Sequence, residues 1–175
     1  MNLIGCSYFY SGPLQVMNAR PVDDLDTNAD AVQECLTAYI ERYQADFLRR
    51  MVGESLAADV EAYLGHLQEN ADHEDDGQRE PYVDAGMEEL CSRLRLPFAH
   101  YVYFKLAGDA NQILTVTGLQ LMKSANTPQP PRQRMVKVWN DMVELNKRFI
   151  EWAKTSSYDV LYRVEMISNI NQFNL

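Results

Sequence analysis

A long amphipathic run near the C-terminal end of the chain, residues 132–154, carries apolar side chains at helical spacing. It follows Ser124–Pro131, a segment rich in small polar residues that ends in two prolines. A β-branched stretch, Ile113–Gly118, comes before that segment. A helix of this length is stable only when other elements cover its apolar stripe. The order of strand, turn-rich loop and long helix contains no catalytic residue set, so it favours assembly over chemistry.

The same helical spacing predicts two helices in the first half of the chain. The first begins near Asp26 or Thr27, either of which can cap it, and continues through the apolar positions of residues 32–51. Gly53 is expected to end this helix, because glycine readily adopts the left-handed conformation of a helix C-terminus. A second helix, with apolar residues between 56 and 67, follows at once.

A third helix is predicted from the apolar positions of residues 87–106. Pro97 lies inside it and is expected to kink or break it, since proline lacks the backbone N–H that a helix needs. Gly108 is expected to end it. With residues 132–154, these segments predict a mainly α fold, a helical bundle with a minor β element.

The minor β element is predicted in two places. In residues 3–17, aromatic and aliphatic residues flank a turn signal at Ser11–Pro13, which predicts an N-terminal hairpin of Ile4–Tyr10 and Leu14–Met17. A short strand is predicted near residues 113–122, where β-branched residues are concentrated.

The whole chain, residues 1–175, is predicted to form a single domain. Residues 69–80 are polar throughout and are expected to form an exposed acidic loop. The tail after residue 155 fits two structures. Residues 158–166 alternate as a strand would, and three apolar residues of the same region also fit a helix: Leu161, Val164 and Ile167.

Composition excludes several classes of function. The net charge is -9, and a uniformly acidic surface would repel nucleic acid, so sequence-specific nucleic-acid binding is not expected. No apolar run approaches the roughly 20 residues that span a bilayer, and the N-terminus lacks a basic leader followed by an apolar region. The chain is therefore expected to stay in a reducing cytosol, away from membranes and without secretion.

The three cysteines, Cys6, Cys35 and Cys91, are far apart in the sequence and lack the spacing of a zinc site. Cys35 and Cys91 fall on apolar helix faces, so buried, unpaired thiols are expected. None of the three histidines pairs with another His or Cys at ligand spacing. The acidic loop does not match a calcium-binding loop, and no glycine-rich phosphate loop is present. Neither a metal, a cofactor nor a catalytic residue is therefore predicted.

The two tryptophans of the last helix indicate that it is buried on more than one side. Trp139 and Trp152 are 13 positions apart, which places them about 140° from each other around a helix. A helix covered on two sides is natural where neighbouring subunits pack against it.

Three stretches resemble the head–tail connector proteins of tailed phages, especially a poorly characterised group from phages and prophages of gut bacteria. They are Leu3–Leu14, which is similar to an extended N-terminal segment, Tyr39–Leu56, which is similar to a helix followed by a corner, and Thr117–Trp152, which is similar to a strand, a loop and a terminal helix. The resemblance implies a helical bundle that forms rings between portal and tail and has no enzymatic activity.

The function expected from this resemblance is that of a non-enzymatic phage or prophage structural protein, a head–tail connector subunit. Its partners would be other copies of itself and the portal or tail proteins, first in the host bacterial cytoplasm and then in the virion. The alternative is a cytosolic helical protein-binding or regulatory module, and an enzyme with an unrecognised site is a third. The candidate assembly contacts are Tyr8, Phe9, Tyr10, Leu14, Ser124, Asn126, Thr127, Pro128 and Trp152.

Overall fold

The computed structural model describes residues 1–22, 27–72, 83–110, 112–115, 118–121, 131–171 and 173. In these residues the chain forms α1 (Thr27–Val52), α2 (Glu54–Asp72), α3 (Ala85–Ala110) and α4 (Pro131–Ala153). Two short strands, β1 (Gln112–Thr115) and β2 (Gly118–Leu121), pair antiparallel between α3 and α4. The prediction of a mainly helical bundle is confirmed.

Helix α2 contacts α1 and, less extensively, α3, while α1 also contacts α3. The contact between α3 and α4 is the most extensive of these helix–helix contacts. The core at the crossing of α1 and α3 is aromatic. The ring centroid of Phe47 lies 5.1 Å from that of Phe98 and 5.5 Å from that of Tyr101. All three side chains are fully buried, so these rings fix the relative position of the two central helices.

Gly53 ends α1 as the sequence predicts. Its φ of +84° lies in the left-handed region, and α2 begins at the next residue. Its N–H donates to the Arg49 carbonyl at 3.2 Å, and its own carbonyl accepts from Ala57 at 3.0 Å. The corner between α1 and α2 therefore consists of one residue.

Helix α3 differs from the prediction in two respects. It continues through Pro97, which is buried, so the predicted break is not found, and it ends at Ala110 instead of at Gly108. A proline inside a helix removes one backbone hydrogen bond, but burial of the surrounding apolar residues offsets that loss here, since Leu94, Phe98 and their neighbours are fully buried.

The predicted N-terminal hairpin is also wrong. Residues Cys6–Phe9 and Gly12–Leu14 form two 3-10 turns, and the N–H of Val16, two residues after the second turn, donates to the Phe9 carbonyl at 3.0 Å. Phe9 and Leu14 are both buried in the helical core. The segment buries its apolar residues against the helices instead of forming a strand ladder.

The predicted acidic loop and the tail also differ from expectation. Helix α2 extends to Asp72, so residues 69–72 are helical and not loop, while 73–80 lie outside the described residues. The tail, defined here as residues 156–171, runs without strand pairing and contains a single 3-10 turn, Val164–Ile167. Neither of the two structures that the sequence allows for it is found.

Candidate functional site

The tail is attached to the C-terminal end of α1 by backbone hydrogen bonds. The N–H groups of Leu161 and Arg163 donate to the carbonyls of Val52 and Arg50, at 3.4 and 2.8 Å. The last carbonyls of a helix have no partner inside the helix, so a neighbouring segment can satisfy them. The tail passes directly over Gly53, where a Cβ atom would stand 3.0 Å from the Leu161 Cβ. Only glycine leaves room for this approach.

Asparagine side chains of α4 hold the rest of the tail. The amide of Asn146 donates to the Met166 carbonyl at 2.7 Å, and Asn140 both donates to and accepts from the backbone of Ile170, at 3.0 and 2.9 Å. Trp139 donates to the Ser168 carbonyl at 3.0 Å. Met166 is fully buried, so the tail is also anchored in the core.

A charged network joins the tail to α1 and α3. Asp46 accepts hydrogen bonds from Arg50 and from the Tyr101 hydroxyl, both at 2.7 Å, and Arg50 also pairs with Glu165 of the tail. Burial raises the pKa of Asp46, but the hydrogen bonds and charges of Arg50 and Tyr101, together with the charge of Lys105, outweigh burial and hold the pKa below its ordinary value. Asp46 is therefore ionised near neutral pH and orients Arg50 towards the tail.

Apolar side chains of the tail face solvent even though the backbone is held in place. Leu161 is 67% exposed, Val164 is 71% exposed and Tyr162 is 38% exposed. We call these three residues the tail ridge. Single exposed apolar residues are common on protein surfaces, but three of them within four residues of an anchored segment offer apolar surface to a protein partner.

The candidate assembly contacts predicted from the sequence are dispersed. Phe9 and Leu14 are buried, whereas Tyr8 and Tyr10 are half-buried beside them. The remaining loop candidates, Ser124, Asn126, Thr127 and Pro128, lie outside the described residues. Among the N-terminal candidates, only the two tyrosines offer surface to a partner while the segment stays folded.

Trp152, the last of these candidates, packs within its own chain. The Arg93 guanidinium lies 4.6 Å from its ring centroid, and the rings of Phe149 and Tyr158 lie 5.7 and 6.3 Å away. Trp139 contacts Phe104 of α3 at 4.8 Å and donates to the tail. The two-sided burial of α4 predicted from these tryptophans is thus provided by α3 and the tail of the same chain.

Two groups that can titrate, His100 and Cys91, are buried between the helices. The Nδ1–H of His100 donates to the Leu96 carbonyl one turn back at 2.9 Å, and burial lowers the His100 pKa. Burial also raises the pKa of the Cys91 thiol to about 11, so Cys91 is a buried thiol as predicted. Cys35 is exposed, so the prediction of burial is wrong there. His66 is exposed and lies 3.6 Å from Glu69.

Among the described residues, no three His, Cys, Asp or Glu side chains are grouped to hold a metal ion. None of the helices in the described part of the chain combines the length and apolar character needed to cross a membrane.

Comparison with protein-family models, with curated proteins and with solved structures finds no match for this chain. The tail ridge, with the segment that anchors it, is consequently identified from geometry alone. The sequence holds a partial signal for it: Asn140 and Asn146 interrupt the apolar stripe of α4, and a buried amide needs a hydrogen-bond partner.

Proposed function

We propose that this protein is a non-enzymatic structural subunit of a tailed phage or prophage, which assembles between portal and tail as a head–tail connector. The resemblance of Leu3–Leu14, Tyr39–Leu56 and Thr117–Trp152 to such connectors motivates the proposal. A helical bundle suits this role, because long helices present extended rigid surfaces to neighbouring subunits.

The observation that carries an assembly role is the tail ridge. Leu161 and Val164 are about two-thirds exposed, yet the backbone between them is fixed by hydrogen bonds to α1 and by the burial of Met166. A preordered apolar surface loses little conformational entropy on binding, so the ridge is suited to a protein partner. In the proposed connector, that partner is the portal protein or a protein of the phage tail.

The experiment combines the double variant Leu161→Ser/Val164→Ser with the portal protein encoded near this gene. We expect the wild-type chain to co-elute with portal in size-exclusion chromatography with light scattering, and the ridge variant to elute alone. The matched control is Met17→Ser, because Met17 is 82% exposed but lies in the N-terminal segment, and it should bind as the wild type does.

Circular dichroism of each variant checks that the fold is retained. Full portal binding by the ridge variant would remove the tail ridge from the proposal. If the neighbouring genes encode no portal, capsid or tail proteins, the phage assignment fails, and a cytosolic helical binding module becomes the better description of the same surface.

A further inference from the structure

The negative charge of this chain is concentrated in one segment. Residues 54–80 contain nine of the 25 Asp and Glu residues and a single basic residue, Arg79, so they account for eight of the nine net negative charges. The rest of the chain is close to neutral. Five of the nine acids lie in helix α2, and charge concentrated on one helix steers association more strongly than an evenly spread charge does.

Helix α2 carries the described part of this acidic segment and contains no Lys or Arg. Glu54, Glu61 and Glu69 are exposed, and their positions fall within about 80° of one another around the helix. They extend along about 22 Å of its length. We call these residues the glutamate row. Glu54 lies 3.5 Å from Arg49, and Glu69 is near His66, but both glutamates remain largely exposed.

Helix α4 has the opposite charge balance. Residues 132–154 contain six basic and three acidic residues, and each acid pairs with a lysine one turn away: Lys137 with Asp141, Lys147 with Glu144 and Lys154 with Glu151. The surplus consists of three exposed arginines, Arg132, Arg134 and Arg148, which form no ion pair in the described part of the chain.

Two of these arginines match the glutamate row in spacing. Arg134 and Arg148 lie about 40° apart around α4 and about 21 Å apart along it, and we call them the arginine row. Arg134 stacks on the Tyr103 ring at 5.0 Å and donates to the Pro13 carbonyl at 3.2 Å, so it is partly held in place. Arg132 and Arg134 lie in the first turn of α4, where the helix dipole disfavours cations, so a carboxylate from outside would be favoured.

Among the described residues, no ion pair joins the two rows within one chain. Helix α2 packs mainly on α1 and also contacts α3, whereas α4 packs mainly on α3. The rows therefore lie on two helices that have different main packing partners. A contact between two different surfaces of identical subunits is head-to-tail, and repeated contacts of this kind produce rings or filaments.

We propose that copies of this chain associate head to tail, with the glutamate row of one copy against the arginine row of the next. The occupant of each row is a second copy, because spacing and charge are complementary. Arginine is also enriched at protein interfaces, whereas lysine is depleted there. This inference rests on the proposed assembly function and names the surface through which subunits contact one another.

The test measures association of the full chain by sedimentation velocity at about 0.05 M and about 0.5 M NaCl, since added salt shortens the range of charge interactions. We expect the wild type to associate at low salt and to dissociate at high salt. Two charge-reversal variants, Glu61→Arg/Glu69→Arg and Arg134→Glu/Arg148→Glu, should each associate about tenfold more weakly.

Mixing the two variants provides the decisive outcome. In each variant the substituted positions of one row carry the same charge as the other row, and in a mixture every reversed row faces its complement, so association should return to near the wild-type level. Arg20→Glu is the matched control: Arg20 is exposed in the N-terminal segment, and changing it should leave association unchanged. Arg148→Glu alone, which spares the contacts of Arg134 with Pro13 and Tyr103, serves as a second variant and should weaken association without altering the melting temperature.

A wild type that stays monomeric at low salt and about 1 mM protein overturns the proposal. So does a mixture that fails to recover association. Self-association with this pattern, without portal binding by the tail ridge, would support the head-to-tail contact while refuting the proposed place in the virion. Portal binding by the tail ridge without self-association would support the proposed place in the virion and refute the head-to-tail contact.

Discussion

Replacing Gly53 by alanine tests how the corner between α1 and α2 and the tail depend on each other. The φ of +84° is a left-handed conformation, which costs an L-residue about 1–2 kcal/mol. The new methyl group would also stand 3.0 Å from the Leu161 Cβ and 3.4 Å from the Leu161 carbonyl oxygen. Neither atom is the end of a flexible side chain, so the backbone of the tail must shift.

That shift would weaken the hydrogen bonds from Leu161 and Arg163 to the carbonyls of Val52 and Arg50, each worth about 0.5–1.5 kcal/mol. Together with the backbone strain, we expect Gly53→Ala to reduce the free energy of unfolding by about 2–4 kcal/mol. For a chain of this size, this loss corresponds to a fall in Tm of about 4–16 °C. Urea unfolding followed by circular dichroism measures it.

Two other glycines separate the contribution of backbone strain from that of the contact with the tail. Gly12 has a φ of +79° but open space where its Cβ would be, so Gly12→Ala reports backbone strain alone, about 1–2 kcal/mol. Gly65 lies inside α2 with open space around it, so Gly65→Ala should stabilise the protein by about 0.5–1 kcal/mol. If Gly53→Ala and Gly12→Ala lose the same stability, the tail does not pack on Gly53, and the reasoning is refuted.

Three further changes probe buried groups. A thiol reagent at pH 8 should modify Cys35 rapidly and Cys91 only after unfolding, because burial protects Cys91 and raises its pKa to about 11; equal rates by mass spectrometry would contradict this. Burial lowers the pKa of His100, so the unfolded state binds a proton at this histidine before the folded state does as pH falls below about 6.5. Between pH 7.5 and pH 5.5, the wild type should therefore lose more free energy of unfolding, measured by urea titration, than the variant His100→Gln. Tyr101→Phe removes the hydrogen bond to Asp46 and should cost about 1–3 kcal/mol near neutral pH. That difference should narrow below about pH 4, because the stability due to the lowered pKa of Asp46 is present above that pH and is lost on acidification; a constant difference from pH 7 to pH 2 would argue against the hydrogen bond.

Helices were predictable here because their apolar periodicity is long and regular. The stop at Gly53 was also predictable, since a glycine between two such runs has few other roles. The prediction for the N-terminal segment was wrong because aromatic and aliphatic residues on both sides of a turn signal form a hairpin only when the two strands can pair. Phe9 and Leu14 instead find a deeper apolar surface on the helices, and burial there outweighs local β preference.

The tail ridge was only partly predictable. In the sequence, Leu161 and Val164 look like apolar positions of a regular helix or strand. Nothing in the neighbouring sequence indicates that they face solvent while Met166 is buried in the core. Their exposure follows from contacts distant in sequence, with Arg50 and Val52 of α1, which no local pattern reveals. The asparagines of α4 were the better signal: Asn146 is fully buried and Asn140 is half-buried, and a polar group on an apolar stripe needs a hydrogen-bond partner.

Where the charge is located matters more to the proposed assembly than its total. A net charge of -9 predicts repulsion between copies if it is spread evenly. Because helix α2 carries five acidic residues and no Lys or Arg, repulsion is strongest when two copies of α2 face each other, which is the arrangement of a symmetric dimer formed through α2. Turning one copy so that α2 meets the arginines of α4 replaces that repulsion with attraction. The same charge distribution therefore disfavours the two-fold pairing through α2 and favours the head-to-tail pairing, and a ring between portal and tail requires the second.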